Sequence, residues 1–180
     1  MQIRLAASAA LLAPVTAFAV DYLSAEQAAK QMYPEADRFQ AQTLVIDAAL
    51  QAQLQAQGLK LRTPHWQLST AFHGDTALGF IVTDEVIGKF ELISYAVGVG
   101  LDGAVKQVEI LSYRESHGQE VRLPAWRKQF VGKRSGATLR VGDDIANISG
   151  ATLSCTHVTD GIRRVLTVLD AARRSGVVKP

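Results

Sequence analysis

Only one cysteine, Cys155, occurs in 180 residues. One thiol closes no intramolecular disulfide, supplies no Cys-x-x-Cys-His haem attachment and builds no thiolate-rich metal site. His65, His73 and His157 stand alone, without a His-x-x-x-His or His-Glu pairing, so no metal site is expected. An excess of charge of one sign is also missing, with 19 basic residues against 17 acidic. The cations that do cluster (Lys128, Lys133 and Arg134; Arg163 and Arg164; Arg173 and Arg174) are broken by acids and apolar residues, and no basic stripe interleaves with aromatics. A nucleic-acid partner is therefore not expected. No internal repeat or low-complexity segment is evident.

Long hydrophobic runs are scarce too. The N-terminal apolar or small segment, Leu5 to Ala19, spans 15 residues and contains Pro14, short of the roughly 20 that cross a bilayer. With Arg4 before it and Ala17-Phe18-Ala19 as a small-x-small cleavage site, residues 1–19 read as a secretory signal peptide. No lipid-attachment cysteine follows it. The expected mature chain, residues 20–180, suits one domain, has an almost neutral charge balance and is directed to the periplasm.

Ser24 and Gln27 form a capping box for a short helix from Ala25 to Met32, with Leu23 placed as a staple, and Pro34 ends it. Phe39 to Ile46 reads as a strand, and Asp47 caps an Ala/Gln/Leu-rich helix that stops at Gly58. Its thin apolar face of Leu50 and Leu54 places it on the outside of the sheet. Four strands are predicted over Gln67–Phe72, Thr76–Val86, Phe90–Gly100 and Val105–Tyr113. The turn signals Gly74-Asp75, Gly88-Lys89 and Asp102-Gly103 join them into an antiparallel meander. Gly98, Gly100 and Gly103 are followed by a strand and not a helix, which removes a dinucleotide-binding fingerprint. Pro124 opens a short helical segment from Leu123 to Val131. Val158, Ile162, Val165, Leu166 and Leu169 recur at helical spacing and define a C-terminal amphipathic helix starting near Leu153. The expected fold class is α+β: an antiparallel sheet of about four to six strands, with helices mainly on one face.

Ser149-Gly150-Ala151-Thr152 sits where that last helix begins. Helix N-termini expose backbone N–H groups without intrahelical acceptors and carry roughly half a positive charge, so a phosphate is held there without a lysine. Gly150 lets the backbone approach closely, and Ser149, Thr152 and Ser154 add hydroxyls. An ordinary loop and helix cap would use the same residue types.

Ile148-Ser149-Gly150-Ala151-Thr152-Leu153-Ser154 resembles the flavinylation motif of FMN-binding domains. In that family, which includes subunits of sodium-pumping NADH:quinone reductases and Rnf-type complexes, a dedicated transferase joins the FMN phosphate to the threonine hydroxyl as a phosphoester. The blocks Tyr22 to Ala28, Tyr113 to Gly118 and Trp126 to Phe130 are similar to its exported, stand-alone branch. The resemblance implies covalent FMN on Thr152, with Ser149, Gly150, Ala151, Leu153 and Ser154 around the phosphate and Glu115, His117 and Trp126 near the flavin. The family's acidic residue three positions before the serine is here Ala146, with Asn147 after it and Asp143 and Asp144 upstream.

Other readings of these residues stay open. Glu115 and His117 also read as a solvated strand exit, and as an acid–base pair they form no specific hydrolase signature; Trp126 and Phe130 also read as a seal on the sheet, and Arg127 and Lys128 either neutralise a flavin phosphate or face solvent. Cys155 in the first helical turn has either a lowered pKa or a packing role. No catalytic acid or base is assigned. The function implied by the resemblance is periplasmic electron transfer between a membrane redox complex and another exported protein, with a flavin transferase as maturation partner and the membrane surface as a place of association. The alternatives are a flavin-free ligand-binding or interaction module and a flavin-dependent reductase of a small substrate.

Overall fold

Ser24 opens the first helix as the sequence predicts: its Oγ accepts the Gln27 N–H at 3.1 Å, and Gln27 Oε1 accepts the Ser24 N–H at 2.8 Å. The computed structural model describes residues 20–56, 58–59, 61 and 63–179; the expected signal peptide lies outside them. The capping box starts α1 (Ala25–Met32), which follows the two-residue strand β1 (Val20–Asp21). Then come β2 (Arg38–Val45), α2 (Ala48–Ala56), β3 (His65–His73), β4 (Thr76–Ile87), β5 (Leu92–Gly100) and β6 (Val105–Tyr113). Two 3-10 turns, Gln119–Arg122 and Lys128–Phe130, flank α3 (Pro124–Arg127), and α4 (Thr152–Arg174) closes the chain.

The six strands form one antiparallel sheet in the order β1-β6-β5-β4-β3-β2. Each of the three predicted turn dipeptides lies between paired strands, so the meander follows from local turn chemistry. Helices α2, α3 and α4 pack on one face, and α1 alone covers the other through Ala28, Ala29 and Met32. Asp47 Oδ1 caps α2 by accepting the Leu50 N–H at 2.8 Å, and Leu50 and Leu54 pack into the α4 side of the core. Every residue of the predicted α4 stripe is buried. Gly161, in the middle of that helix, has a packing reason: a β-carbon there would lie 2.1 Å from Tyr95 Oη. Tyr95 crosses from the sheet to donate to Asp84 Oδ2 at 2.6 Å, which also accepts from Arg164 of α4 at 2.6 Å. Among the described residues no helix is long and apolar enough to cross a membrane.

Two irregularities of β6 place the site. Register shifts opposite Gly98/Val99 and Ser94/Tyr95 each add one residue to β6, so Val105, Val108, Ile110 and Tyr113 all face α4. The first shift brings Val108 and Ile110 to the α4 face; alternation continued from them would turn Tyr113 away, and the second extra residue, Leu111, points the Tyr113 ring at the helix instead. The outer edge of β6 is covered by chain and side chain. Val105 exchanges backbone hydrogen bonds with Gly132 and Lys133, and an Arg127 guanidinium nitrogen donates to the Val108 carbonyl. The exposed template of an edge strand is thereby removed on this side.

Candidate functional site

The first turn of α4 has no side-chain cap. Its N-cap is Ala151, and the first intrahelical bond runs from the Cys155 N–H to the Ala151 carbonyl at 2.9 Å. Among the described residues nothing accepts from the N–H groups of Thr152, Leu153 or Ser154. The hydroxyls of Ser149, Thr152 and Ser154 thus do not cap the helix, which sets aside the ordinary-cap reading of the motif. Thr152 is exposed, and its Oγ1 accepts a hydrogen bond from Asn147 Nδ2 at 3.1 Å. The chain before it is fastened to α3: Trp126 Nε1 donates to the Ala146 carbonyl at 2.8 Å, and the Ala146 N–H donates to Gln129 Oε1 at 2.7 Å. Further upstream, Asp144 folds the 139–144 loop by accepting the N–H groups of Leu139 (3.1 Å) and Arg140 (2.8 Å) and the Lys133 ammonium (2.6 Å). The Arg140 N–H, the lysine and the Leu139 N–H together hold its carboxyl down to about 2.

The end of β6 forms the facing wall. Tyr113 Oη donates to the His117 carbonyl and lies 3.0 Å from Ser154 Oγ, so one buried hydroxyl ties the sheet to both the 114–118 loop and α4. Gly118 adopts φ 88°, and a β-carbon on it would come within 2.5 Å of Ala151 Cβ and 2.6 Å of Tyr113 Oη. Only glycine lets this loop lie against the motif. Burial pushes the Cys155 thiol up, so the cysteine packs and is not activated.

Glu115 has a role the sequence did not disclose. Its Oε1 accepts the backbone N–H groups of Lys89, Phe90 (2.6 Å) and Glu91 (2.9 Å), closing the β4–β5 turn like a cap. His157 of α4 holds the same turn from the other side, its Nδ1 lying 2.6 Å from the Ile87 carbonyl and 2.9 Å from that of Gly88. Because both partners are acceptors, Nδ1 carries the proton. Burial raises the Glu115 carboxyl, but the three N–H bonds and Lys89 outweigh it and leave the pKa below the usual glutamate value. A carboxyl lowered on folding stabilises the turn at pH above the usual value, and that contribution is lost as pH falls through the lower, folded value. Glu115→Ala is expected to speed amide exchange at residues 89–91 by about tenfold or more, the equivalent of losing a buried acceptor. Exchange mass spectrometry at neutral pH checks this; unchanged protection would mean that His157 alone holds the turn.

Between these walls lies a cleft of about 440 Å³, lined by Lys89 and Phe90 of the turn, residues 115–117 and residues 150–154. It brings together Gly150, Ala151, Thr152, Leu153, Ser154, Glu115 and His117 from the sequence-derived set. His117 is exposed, with Nδ1 2.9 Å from Ser116 Oγ. Ser149 is exposed beside the cleft without lining it, and Trp126 is elsewhere, buried edge-to-face on Phe130 with centroids 5.1 Å apart. Arg127, a candidate to neutralise phosphate, is paired instead with Glu109. Lys89 and Phe90 line the cleft, and Tyr113, Gly118, Asn147 and His157 brace it, although none of the six belongs to the sequence-derived set. The sequence pattern starts a strand at Phe90, whereas β5 begins at Leu92 and Phe90 sits in the turn. Among the described residues no three His, Cys, Asp or Glu side chains converge on a point that could hold a metal.

No curated protein matches the chain. Residues 88–167 match the family described as FMN-binding domain, a span that starts at the β4–β5 turn, ends within α4 and contains every residue lining the cleft. The chain thus carries a domain of the FMN-binding family and is an FMN-binding protein.

Proposed function

We propose that this protein is an exported electron carrier whose FMN is joined by a phosphoester to Thr152 and which passes electrons between a membrane redox complex and another exported protein. The observation that carries this reading is the uncapped start of α4, where three unpartnered N–H groups and an exposed threonine hydroxyl open into the matched domain's cleft. Their donor character fits a phosphate. After esterification the linkage retains one negative charge, which faces the positive end of the helix dipole. The Asn147 amide occupies one lone pair of Thr152 Oγ1, fixing the side chain while leaving its proton available for removal. It stands beside the position where the resembled motif has an acid, and supplies orientation without charge.

FMN supplies one- or two-electron chemistry when bound; the protein contributes position, electrostatics and exclusion of solvent. An ester link suits export, since a cofactor held only by reversible contacts is diluted away in a compartment without free flavin. A flavin transferase is the maturation partner, and residues 1–19 are the export signal in this reading.

The test is the intact mass of the mature protein co-exported with a flavin transferase, with fluorescence of the denatured band. The expected result is a mass raised by FMN less one water, since an ester replaces the hydroxyl hydrogen. An unmodified mass with yellow colour lost on denaturation would assign reversible FMN binding. An unmodified, colourless protein would favour the flavin-free interaction module.

A further inference from the structure

The β4–β5 turn presents an aromatic ring that the fold itself does not use. Phe90 is 76% exposed, the most exposed of the large hydrophobic side chains described, yet its backbone is fixed by Glu115 from the sheet side and the adjoining carbonyls by His157 from α4. Leu153, in the first turn of α4, lines the same cleft and is 45% exposed. Two exposed apolar side chains therefore belong to one cleft that is also lined by N–H and hydroxyl donors. A phosphate-bearing aromatic ligand needs both kinds of lining.

We infer that the β4–β5 turn is a fixed ring-binding element, with Phe90 packing on the isoalloxazine and the Leu153 side chain lining the same site. This rests on the FMN reading above and assigns the ring's position, which that reading leaves open. Anchoring at both sides matters because an aromatic contact is useful only if the ring need not be ordered on binding. Lys89 beside it, with Nζ 4.9 Å from the Phe90 centroid, keeps a cation next to the same ring and also lines the cleft.

The experiment uses the flavin-loaded, full mature chain. Phe90→Trp places an electron-rich indole at the proposed contact, where transfer of an electron from the indole to the photoexcited flavin, followed by its return to the indole radical cation, restores the ground state of both without emission. Flavin fluorescence is expected to fall severalfold relative to wild type and to recover on denaturation. Phe90→Ala is expected to raise quenching by iodide severalfold, since one covering surface of the ring is removed. Val131→Trp and Val131→Ala, at an exposed residue outside the cleft, are the controls and leave both readings unchanged. Phe90 is too exposed for these changes to threaten folding. Unaltered emission in Phe90→Trp together with unaltered iodide quenching in Phe90→Ala would overturn the assignment while leaving FMN attachment intact. Failure to obtain any flavin-loaded wild-type protein would overturn the FMN reading itself, and this assignment with it.

Discussion

Thr152→Ala should abolish covalent flavin altogether while leaving the fold in place. The ester needs a hydroxyl oxygen, and among the cleft-lining residues after Gly150 the only other hydroxyl is Ser154, buried against Tyr113 at 3.0 Å and aimed away from solvent. Thr152 is not the N-cap of α4, its one side-chain bond is the exposed contact with Asn147, and alanine is the better helix former. The stability cost should therefore be no more than about 0.5 kcal/mol, within the range of an ordinary surface substitution. Intact mass after co-export with the transferase should show the unmodified chain, with a urea midpoint close to that of wild type. Because the three N–H groups of the first turn are main chain, the variant should still bind free FMN reversibly, and titration of its absorbance separates loss of the ester from loss of the site. A variant that keeps flavin through denaturation would place the attachment at another residue.

What the sequence revealed and what it concealed divide along range. The capping box at Ser24, the turn dipeptides and the helical stripe from Val158 to Leu169 are set by residues within a few positions of one another, and all appear where the pattern puts them. The motif at Ser149–Thr152 was legible for the same reason. Glu115 stands out in the sequence only by its place in the resembled block, because its partners lie 24 to 26 residues earlier and no spacing rule connects a carboxylate to a turn that far away. Tyr113 was concealed by the register: alternation continued from Val108 and Ile110 places it on the wrong face, and the added residue Leu111 has no compositional mark. Phe90 looked like strand because aromatic residues favour strands, whereas the carboxylate that pins its N–H makes it part of a turn. Trp126 and Arg127 share a four-residue helix with no length of pattern to show which face meets the core. In the structure one holds the chain before the motif and the other a buried acid.

That acid makes Arg127→Met the substitution with the largest expected effect on stability. Glu109 is buried within β6 and has two side-chain partners, Arg127 and, at 2.7 Å, Gln107 Nε2. Arg127 also donates to the carbonyls of Val108 and, at 2.7 Å, Arg122. Removing the guanidinium leaves a nearly buried carboxylate without its counter-charge and two carbonyls without a donor, a loss of about 3–5 kcal/mol. Much of that comes from stranding Glu109, and the pair itself is not the main source of stability. Glu109→Met in the Arg127→Met background should accordingly recover most of the loss, since two apolar side chains of similar volume replace both charges. Urea unfolding of the four chains measures this, with the single variant lowering the midpoint at unchanged slope. The same helix fastens Ala146 through Trp126 and Gln129, so loosening α3 should also reach the motif. Arg127→Met is expected to be flavinylated more slowly than the double variant, although Arg127 lies outside the cleft. Equal rates in the two would show that the 146–152 segment keeps its shape without the support of α3.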